Sequence, residues 1–235
     1  MFNVKNIKKY YEDLKINLSR VTLDVNNLSG PCVVFGSAPT ATLPVGFNDK
    51  WTLITANAAQ AITDELGCRE PDITIMTSAI LLNKAIYIGP QKAIEGKWTN
   101  HLILIEKNMD FQTAISILKG LKYEYNEHTV ITPLQRAKLS KIIYGDNMYR
   151  GSGENKMSTG LLSVGIALYL KLTPIVMSGF SFSTGKHGYK DEQNIKRDHL
   201  QGDKAAIHYF KTNEKEVYAS DVAFAEESGL ELWKG

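Results

Sequence analysis

The chain has 235 residues, 43% hydrophobic and 22% charged, with a formal net charge of +2 at pH 7; this is the make-up of an ordinary folded domain and excludes a disordered or collagen-like chain. So small a net charge excludes a partner attracted by bulk electrostatics, nucleic acid above all, although Lys5, Lys8, Lys9 and Lys15 make the amino-terminal helix locally basic. Cys32 and Cys68 are the two cysteines and have no metal-ligand spacing, and the start MFNVKNIKKYYEDL lacks the apolar core of a secretory signal, so a cytoplasmic protein with free thiols is expected.

The length suits one domain, read as 1–235, with 1–30 a helical extension and 183–200 a lid-like loop. Along Val4 to Leu18, Ile7, Tyr10, Tyr11, Leu14 and Leu18 recur at helical spacing, which predicts an amphipathic first helix with its apolar side on a sheet. After the turn signal Asn26 to Pro31, the run Cys32-Val33-Val34-Phe35 reads as a strand buried on both faces. Gly36-Ser37-Ala38-Pro39-Thr40 follows, with small residues and hydroxyls where the backbone can approach a ligand. Trp51 to Thr55 predicts a second strand ending at Ala56-Asn57, Asp72 to Met76 a third ending at Thr77-Ser78, and His101 to Ile105 a fourth. Phe111 to Leu121 reads as a helix, and Lys122 to Asn155 as the least regular stretch. Ser158 is placed to cap a buried helix over Leu161 to Leu170, and Pro174 to Ser178 reads as another buried strand. A helix near Asp203 to Thr212 and a strand at Glu216 to Tyr218 complete the pattern. Alternating strands and helices predict an α/β, doubly wound, mainly parallel sheet with helices on both faces, whose ligand site lies at the carboxyl ends of the strands.

Two glycine-containing stretches do not carry the motifs they superficially suggest. Gly151 to Thr159 has no glycine immediately before Lys156 and no apolar strand leading into it, so it is not a phosphate loop. Gly36 to Ala41 lacks the dinucleotide fingerprint, which removes the support for a nicotinamide or flavin cofactor. No aspartate pair or histidine cluster at ligand spacing supports a metal.

The remaining pieces, Gly36 to Thr40, Asn57, Lys156 to Gly160, Gly179 to Phe182, Tyr189 and His199, together resemble the motifs of the bacterial lipooligosaccharide sialyltransferases over roughly residues 32 to 218. That resemblance implies a Rossmann-like fold and transfer of sialic acid, or a related nonulosonic acid, from a cytidine-monophosphate carrier to a saccharide or glycolipid without a metal. The turn Gly36-Ser37-Ala38-Pro39-Thr40 is similar to the family's Gly-Asn-Gly-Pro-Ser turn against the nucleotide, with Ser37 in place of asparagine. Asn57 matches a second-strand asparagine that holds nucleotide or sugar, and it equally suits a plain turn. Lys156-Met157-Ser158-Thr159-Gly160, a buried helix, and Ser178-Gly179-Phe180-Ser181-Phe182 resemble the family's Arg-x-Thr-Ser-Gly segment and Ser-Gly-Ile-Asp-Phe strand end.

Carried over residue by residue, the resemblance implies that Gly36, Ser37, Ala38, Thr40, Asn57, Thr77, Ser158, Thr159, Gly160, Gly179, Ser181 and Phe182 bind substrate. A helix amino terminus with hydroxyls and a lysine suits a phosphate. Lys156 and Tyr189 would stabilise the departing phosphate, since Ser183 stands where the family has a tyrosine, and Ser181 stands where it has an aspartate. His199, followed by Asp203, Lys204 and Ala205, is the expected general base, with His187 in reserve. No cofactor beyond the donor substrate is implied, and both homo-oligomerisation and peripheral membrane attachment through the basic first helix are compatible with the chain. Two other readings stay open: a pterin-type pyrophosphokinase, because archaeal proteins of that kind carry a similar turn and strand end, and a catalytically silent nucleotide-sugar-binding protein.

Overall fold

The computed structural model describes residues 4–25, 28–145, 156–183, 187–188 and 199–235, with side chains from residue 10 onward. Its strands are Cys32–Phe35 (β1), Thr52–Ala56 (β2), Ile73–Thr77 (β3), Trp98–Ile105 (β4), Glu124–Ile131 (β5), Ile175–Ser178 (β6) and Val217–Ala219 (β7). The helices are Val4–Leu18 (α1), Gln60–Glu65 (α2), Ile88–Ile94 (α3), Phe111–Gly120 (α4), Pro133–Tyr144 (α5), Thr159–Tyr169 (α6), Leu200–Thr212 (α7) and Val222–Ser228 (α8).

The strands form one seven-stranded sheet in the order β5-β4-β3-β2-β1-β6-β7, and every pairing is parallel. Because successive side chains on a strand point to opposite faces, both faces of the central strands feed a core. Cys32 and Val34 join Leu161, Val164 and Ile207 under α6 and α7, while Val33 and Phe35 join Trp51 and Ala59 on the other face. Further along that second face, Met76, Leu102 and Leu104 pack with Ile94 of α3 and Ala114 and Leu118 of α4. All four residues of β1 are fully buried, as a strand covered on both faces requires.

Chain order reverses at β1: β2 lies on one side of it and β6 on the other. In a doubly wound sheet the loops that follow these two neighbouring strands diverge, and the crevice between them opens at the carboxyl ends.

Three expectations need correction. The apolar stripe of α1 does not lie on the sheet: Tyr10, Tyr11, Leu14 and Leu18 are exposed, and Ile16, about half a turn away around the helix, is the buried residue. α5 and α6 already cover that face of the sheet, so α1 packs outside them, tied to α5 by Lys138 and Lys141 donating to Asn17 and by Gln135 donating to the Arg20 carbonyl. The stretch read as irregular holds β5 and α5. β5 is an edge strand of mixed burial, EYNEHTVI, so it lacks the apolar run that marks an inner strand; α5 begins with a complete capping box at Thr132 and Gln135 and a proline in its first turn. β2, β3 and the last strand, Val217–Ala219, each lie one residue beyond their expected places. Most of the lid-like 183–200 lies outside the described residues.

Candidate functional site

The turn after β1 and the turn after β6 cross with almost no space between them. Gly36 donates its N–H to the Ser178 carbonyl at 2.8 Å, and Ala38 donates to Gly179 at 2.8 Å. A Cβ on Gly36 would lie 2.5 Å from the Gly179 oxygen, and one on Gly179, whose φ is +67°, would lie 2.7 Å from the Gly36 oxygen. Glycine is required at both positions because backbone meets backbone there, and at Gly179 also because of its left-handed conformation. Ser37 is half-buried and hydrogen-bonded to His187 Nδ1 at 2.5 Å, its carbonyl accepts from Gly188 N–H, and Thr40 is exposed on the same turn.

Phe180 links this crossing to α6. Its ring lies 3.3 Å from the Cβ that Gly36 would carry and 2.9 Å from the one that Gly160 would carry, so the amino terminus of α6 is seated beside the Gly36–Gly179 crossing. Ser158 caps the helix, its hydroxyl accepting from Leu161 N–H at 3.2 Å, as expected from the sequence. The Ser158 N–H is itself taken by the carboxylate of Asp203 at 2.8 Å, and Asp203 is only 1% exposed. Thr159 and Gly160, which provide the first N–H groups of the helix, are half-buried.

Four basic groups gather around this helix end. Lys156 precedes it, Arg136 reaches it from the first turn of α5 and donates to the Met157 carbonyl at 3.0 Å, Lys107 follows β4, and His199 stands at the amino-terminal cap of α7. Burial, reinforced by the charges of Arg136 and Lys107, pulls the Lys156 ammonium down to about 8. Burial also lowers the Arg136 guanidinium. His199 is lowered by burial, with the charges of Lys107, Arg136 and Lys156 adding to it against the opposing hydrogen bond to the Lys156 carbonyl. That bond, 2.9 Å from Nδ1, sets the tautomer: a carbonyl only accepts, so Nδ1 carries the proton and Nε2 is the basic nitrogen.

On the other side of the crossing, Ser181, Phe182 and Ser183 enclose the carboxylate of Glu227 from α8. Ser181 Oγ lies 3.1 Å and Phe182 N lies 2.5 Å from Oε2, and the Ser183 hydroxyl donates to Oε1. Asn57 adopts a left-handed φ of 53°, and its Oδ1 accepts from Thr77 N–H at 3.0 Å. It is therefore a turn residue that braces the ends of β2 and β3. The hydroxyl of Thr77 is buried, with no hydrogen-bond partner among the described residues.

The residues singled out in the sequence thus share the carboxyl edge of the sheet, except that Tyr189 lies outside the described residues. Lys107, Arg136, Asp203 and Glu227 were not among them. Lys107 stands two residues past the end of β4, a position at which any side chain in such a sheet merits attention. Arg136 and Glu227 sit on helices that local pattern did not reveal.

No protein-family model and no curated protein matches the sequence. Solved structures do match. The chain is similar to the monofunctional α-2,3-sialyltransferase Cst-I from Campylobacter jejuni, at 11% identity and a TM-score of 0.57, over 91% of this chain and 84% of that one. It is also similar to CstII from the same organism in complex with cytidine-5′-monophosphate, at 12% identity and a TM-score of 0.55, over 87% and 85% of the two chains. A further CstII structure, with a trisaccharide acceptor and CMP, matches at 12% identity and 0.54, over 87% and 86%. At such identities the likeness is one of architecture: this chain has the α/β, Rossmann-like fold of the Campylobacter sialyltransferases.

Proposed function

We propose that the protein is a single-domain glycosyltransferase that moves sialic acid or a related nonulosonic acid from a CMP-activated donor to a saccharide of the bacterial surface. The observation that carries this reading is the gathering of Lys107, Arg136, Lys156 and His199 at the start of α6, beside the Gly36–Gly179 crossing. Three cations, offset in part by the Asp203 carboxylate on the Ser158 N–H, together with the N–H groups of Thr159 and Gly160 suit an anion, and the fold is one whose solved examples hold CMP.

The chemistry follows from the opposed protonation of two neighbours. Transfer by single displacement needs a base for the acceptor hydroxyl and a positive charge against the departing phosphate. It inverts the anomeric centre and needs no metal. His199, lowered from its ordinary value, is neutral around pH 7 with Nε2 available to accept; Lys156, at about 8, is still mainly protonated. One environment thus separates the base from the cation in the way acid–base pairs require. Lys156, Ser158, Thr159 and the first N–H groups of α6 take up the charge that develops on the phosphate, assisted by Tyr189. Ser37, Ala38 and Gly179 line the nucleotide, and Thr77 offers its hydroxyl.

Among the described residues no helix is long and apolar enough to cross a membrane. The exposed Tyr10, Tyr11, Leu14 and Leu18 on a lysine-bearing α1 support a cytoplasmic enzyme resting on the membrane that presents its glycolipid acceptor. The test is release of CMP from CMP-sialic acid with a panel of saccharide acceptors, for the wild type and His199→Ala. Acceptor-dependent release that His199→Ala abolishes is expected; full activity in that variant would remove His199 from its role, and CMP binding without turnover on any acceptor would leave a silent binding protein.

A further inference from the structure

The cations at the start of α6 exceed what one phosphodiester answers. Lys107, Arg136 and Lys156 are each half-buried, and among the described residues none of them has an acidic partner: the ion pairs there are Arg69–Asp72, Lys97–Asp64 and His101–Glu127. They stand close enough for the charges of Arg136 and Lys107 to add to burial in lowering both Lys156 and His199. Gathering like charges out of water is costly unless an anion meets them. The Asp203 carboxylate on the Ser158 N–H offsets part of this charge. The phosphodiester of a nucleotide sugar, with its single negative charge, offsets another part, and positive charge is still left over.

Position divides the three. Lys156 leads into the N–H groups of Thr159 and Gly160, beside the Gly36–Gly179 crossing. Lys107 belongs to the β3 and β4 side, where the Ser78 hydroxyl accepts from its N–H at 2.8 Å and donates to its carbonyl at 3.1 Å. Arg136 arrives from α5 and uses one of its five N–H donors on the Met157 carbonyl, just ahead of α6. Thr77 completes the group. It pairs in register with Ile105, and Ile73, Ile75 and Ile105 share a core with Met157 and Leu161. Side chains alternate along a strand, so Thr77 points to that same face, the one α6 covers. The residue is only 7% exposed, and its hydroxyl has no hydrogen-bond partner among the described residues. A buried hydroxyl is seldom left so unless something else is to meet it.

The donor proposed above carries a second anion. In a nonulosonic acid the carboxylate and the phosphate-bearing oxygen are both bonded to the anomeric carbon, so the two anions are neighbours, as the two sets of cations are. A guanidinium matches a carboxylate with two parallel N–H bonds, which a phosphate at the helix end does not require of it. An ammonium and a free hydroxyl beside it supply the donors for the remaining lone pairs.

We infer that Arg136, with Lys107 and Thr77, holds the carboxylate of the donor sugar, and so restricts the enzyme to nucleotide sugars that bear a carboxylate on the anomeric carbon. This rests on the functional reading above. A nucleotide sugar with hydrogen at that position would strip water from the guanidinium and give it no partner, which is how a charged subsite rejects a neutral competitor.

Calorimetric titration with two probes tests it: the methyl ester of CMP, which has the phosphodiester and no carboxylate, and the donor analogue CMP-3-fluoro-sialic acid, which has both. Arg136→Met and Lys107→Met should each weaken the analogue about 10- to 100-fold, the range of a hydrogen bond to a charged group, and the methyl ester by less than about threefold. Arg136→Met also loses the bond to the Met157 carbonyl. Lys107→Met removes no side-chain hydrogen bond among the described residues, so it decides the matter even if Arg136→Met does not fold. Equal losses for the two probes would place these cations on the phosphate, and no loss for either would remove them from the site. Either result overturns the assignment while leaving the functional reading in place. A wild type that binds neither probe would bring down that reading as well.

Discussion

Alanine at Gly179 probes the backbone crossing with Gly36, and the structure supplies its own control. Gly179 and Gly96 share the same left-handed backbone, with φ of +67° and +68°, so alanine meets the same conformational cost of about 1–2 kcal/mol at either position. They differ in surroundings. A Cβ at Gly96 has nothing within 4 Å, whereas at Gly179 it would lie 2.7 Å from the Gly36 oxygen and 3.0 Å from the Ala41 Cβ. Backbone cannot rotate away as a side chain can, so the crossing must open, at a cost of about 1–3 kcal/mol for an overpacked site. Gly96→Ala should therefore lower the melting temperature by about 5 °C and Gly179→Ala by about 10 °C, at the 2–4 °C per kcal/mol usual for a chain of this size. Gly36→Ala, whose Cβ would lie 2.5 Å from the Gly179 oxygen at an ordinary φ, isolates the steric part. Thermal unfolding measures all three, and CMP titration should show weakened binding in Gly36→Ala and Gly179→Ala only. If Gly179→Ala melted no lower than Gly96→Ala, the two turns would not be in backbone contact, and the crevice described above would lose its wall.

Four further outcomes are expected. CMP affinity should fall as pH rises through about 8, where Lys156 loses its proton, and Lys156→Met should bind about 10- to 100-fold more weakly and lose that limb; the transfer rate should fall on the acid side, below the ordinary histidine value of about 6.5, because His199 is lowered and must be neutral to act. Asp203→Ala leaves the Ser158 N–H inside the protein without its carboxylate and should cost about 1–3 kcal/mol in urea unfolding, with no comparable loss in Asp203→Asn. Thr77→Val removes a buried hydroxyl that has no partner among the described residues, so it should leave stability unchanged or raise it by up to about 1 kcal/mol, while weakening donor binding about threefold if that hydroxyl serves the ligand.

Much of the scaffold was legible from local pattern. β1 was read at its true bounds, since four consecutive apolar residues ending in Gly36 have few alternatives to an inner parallel strand. The Ser158 cap was equally plain, because a hydroxyl before a mainly apolar helix answers a need of the helix end itself. β5 was missed for the opposite reason: most of its residues are polar and exposed or half-buried at the sheet's edge, without a clean alternation, and a polar strand becomes a strand only when β4 pairs with it. The site divides along the same line. Gly36, Ser158, Gly179 and His199 stand next to elements that local sequence reveals, while Arg136 and Glu227 reach the site across the fold from helices of their own.

By itself the sequence determined which segments are strands and helices in the interior, where the chain turns tightly, and hence that the candidate site is to be sought at the carboxyl ends of a parallel sheet. Those are consequences of short-range sterics and of hydrophobic period, which act within a few residues. Only the tertiary structure decided that Lys107, Arg136, Lys156 and His199 share one neighbourhood, that the stripe on α1 faces outward, and that Glu227 meets the turn after β6. Charges interact through space whatever their separation along the chain, so their effect on one another becomes defined only once packing has brought them together.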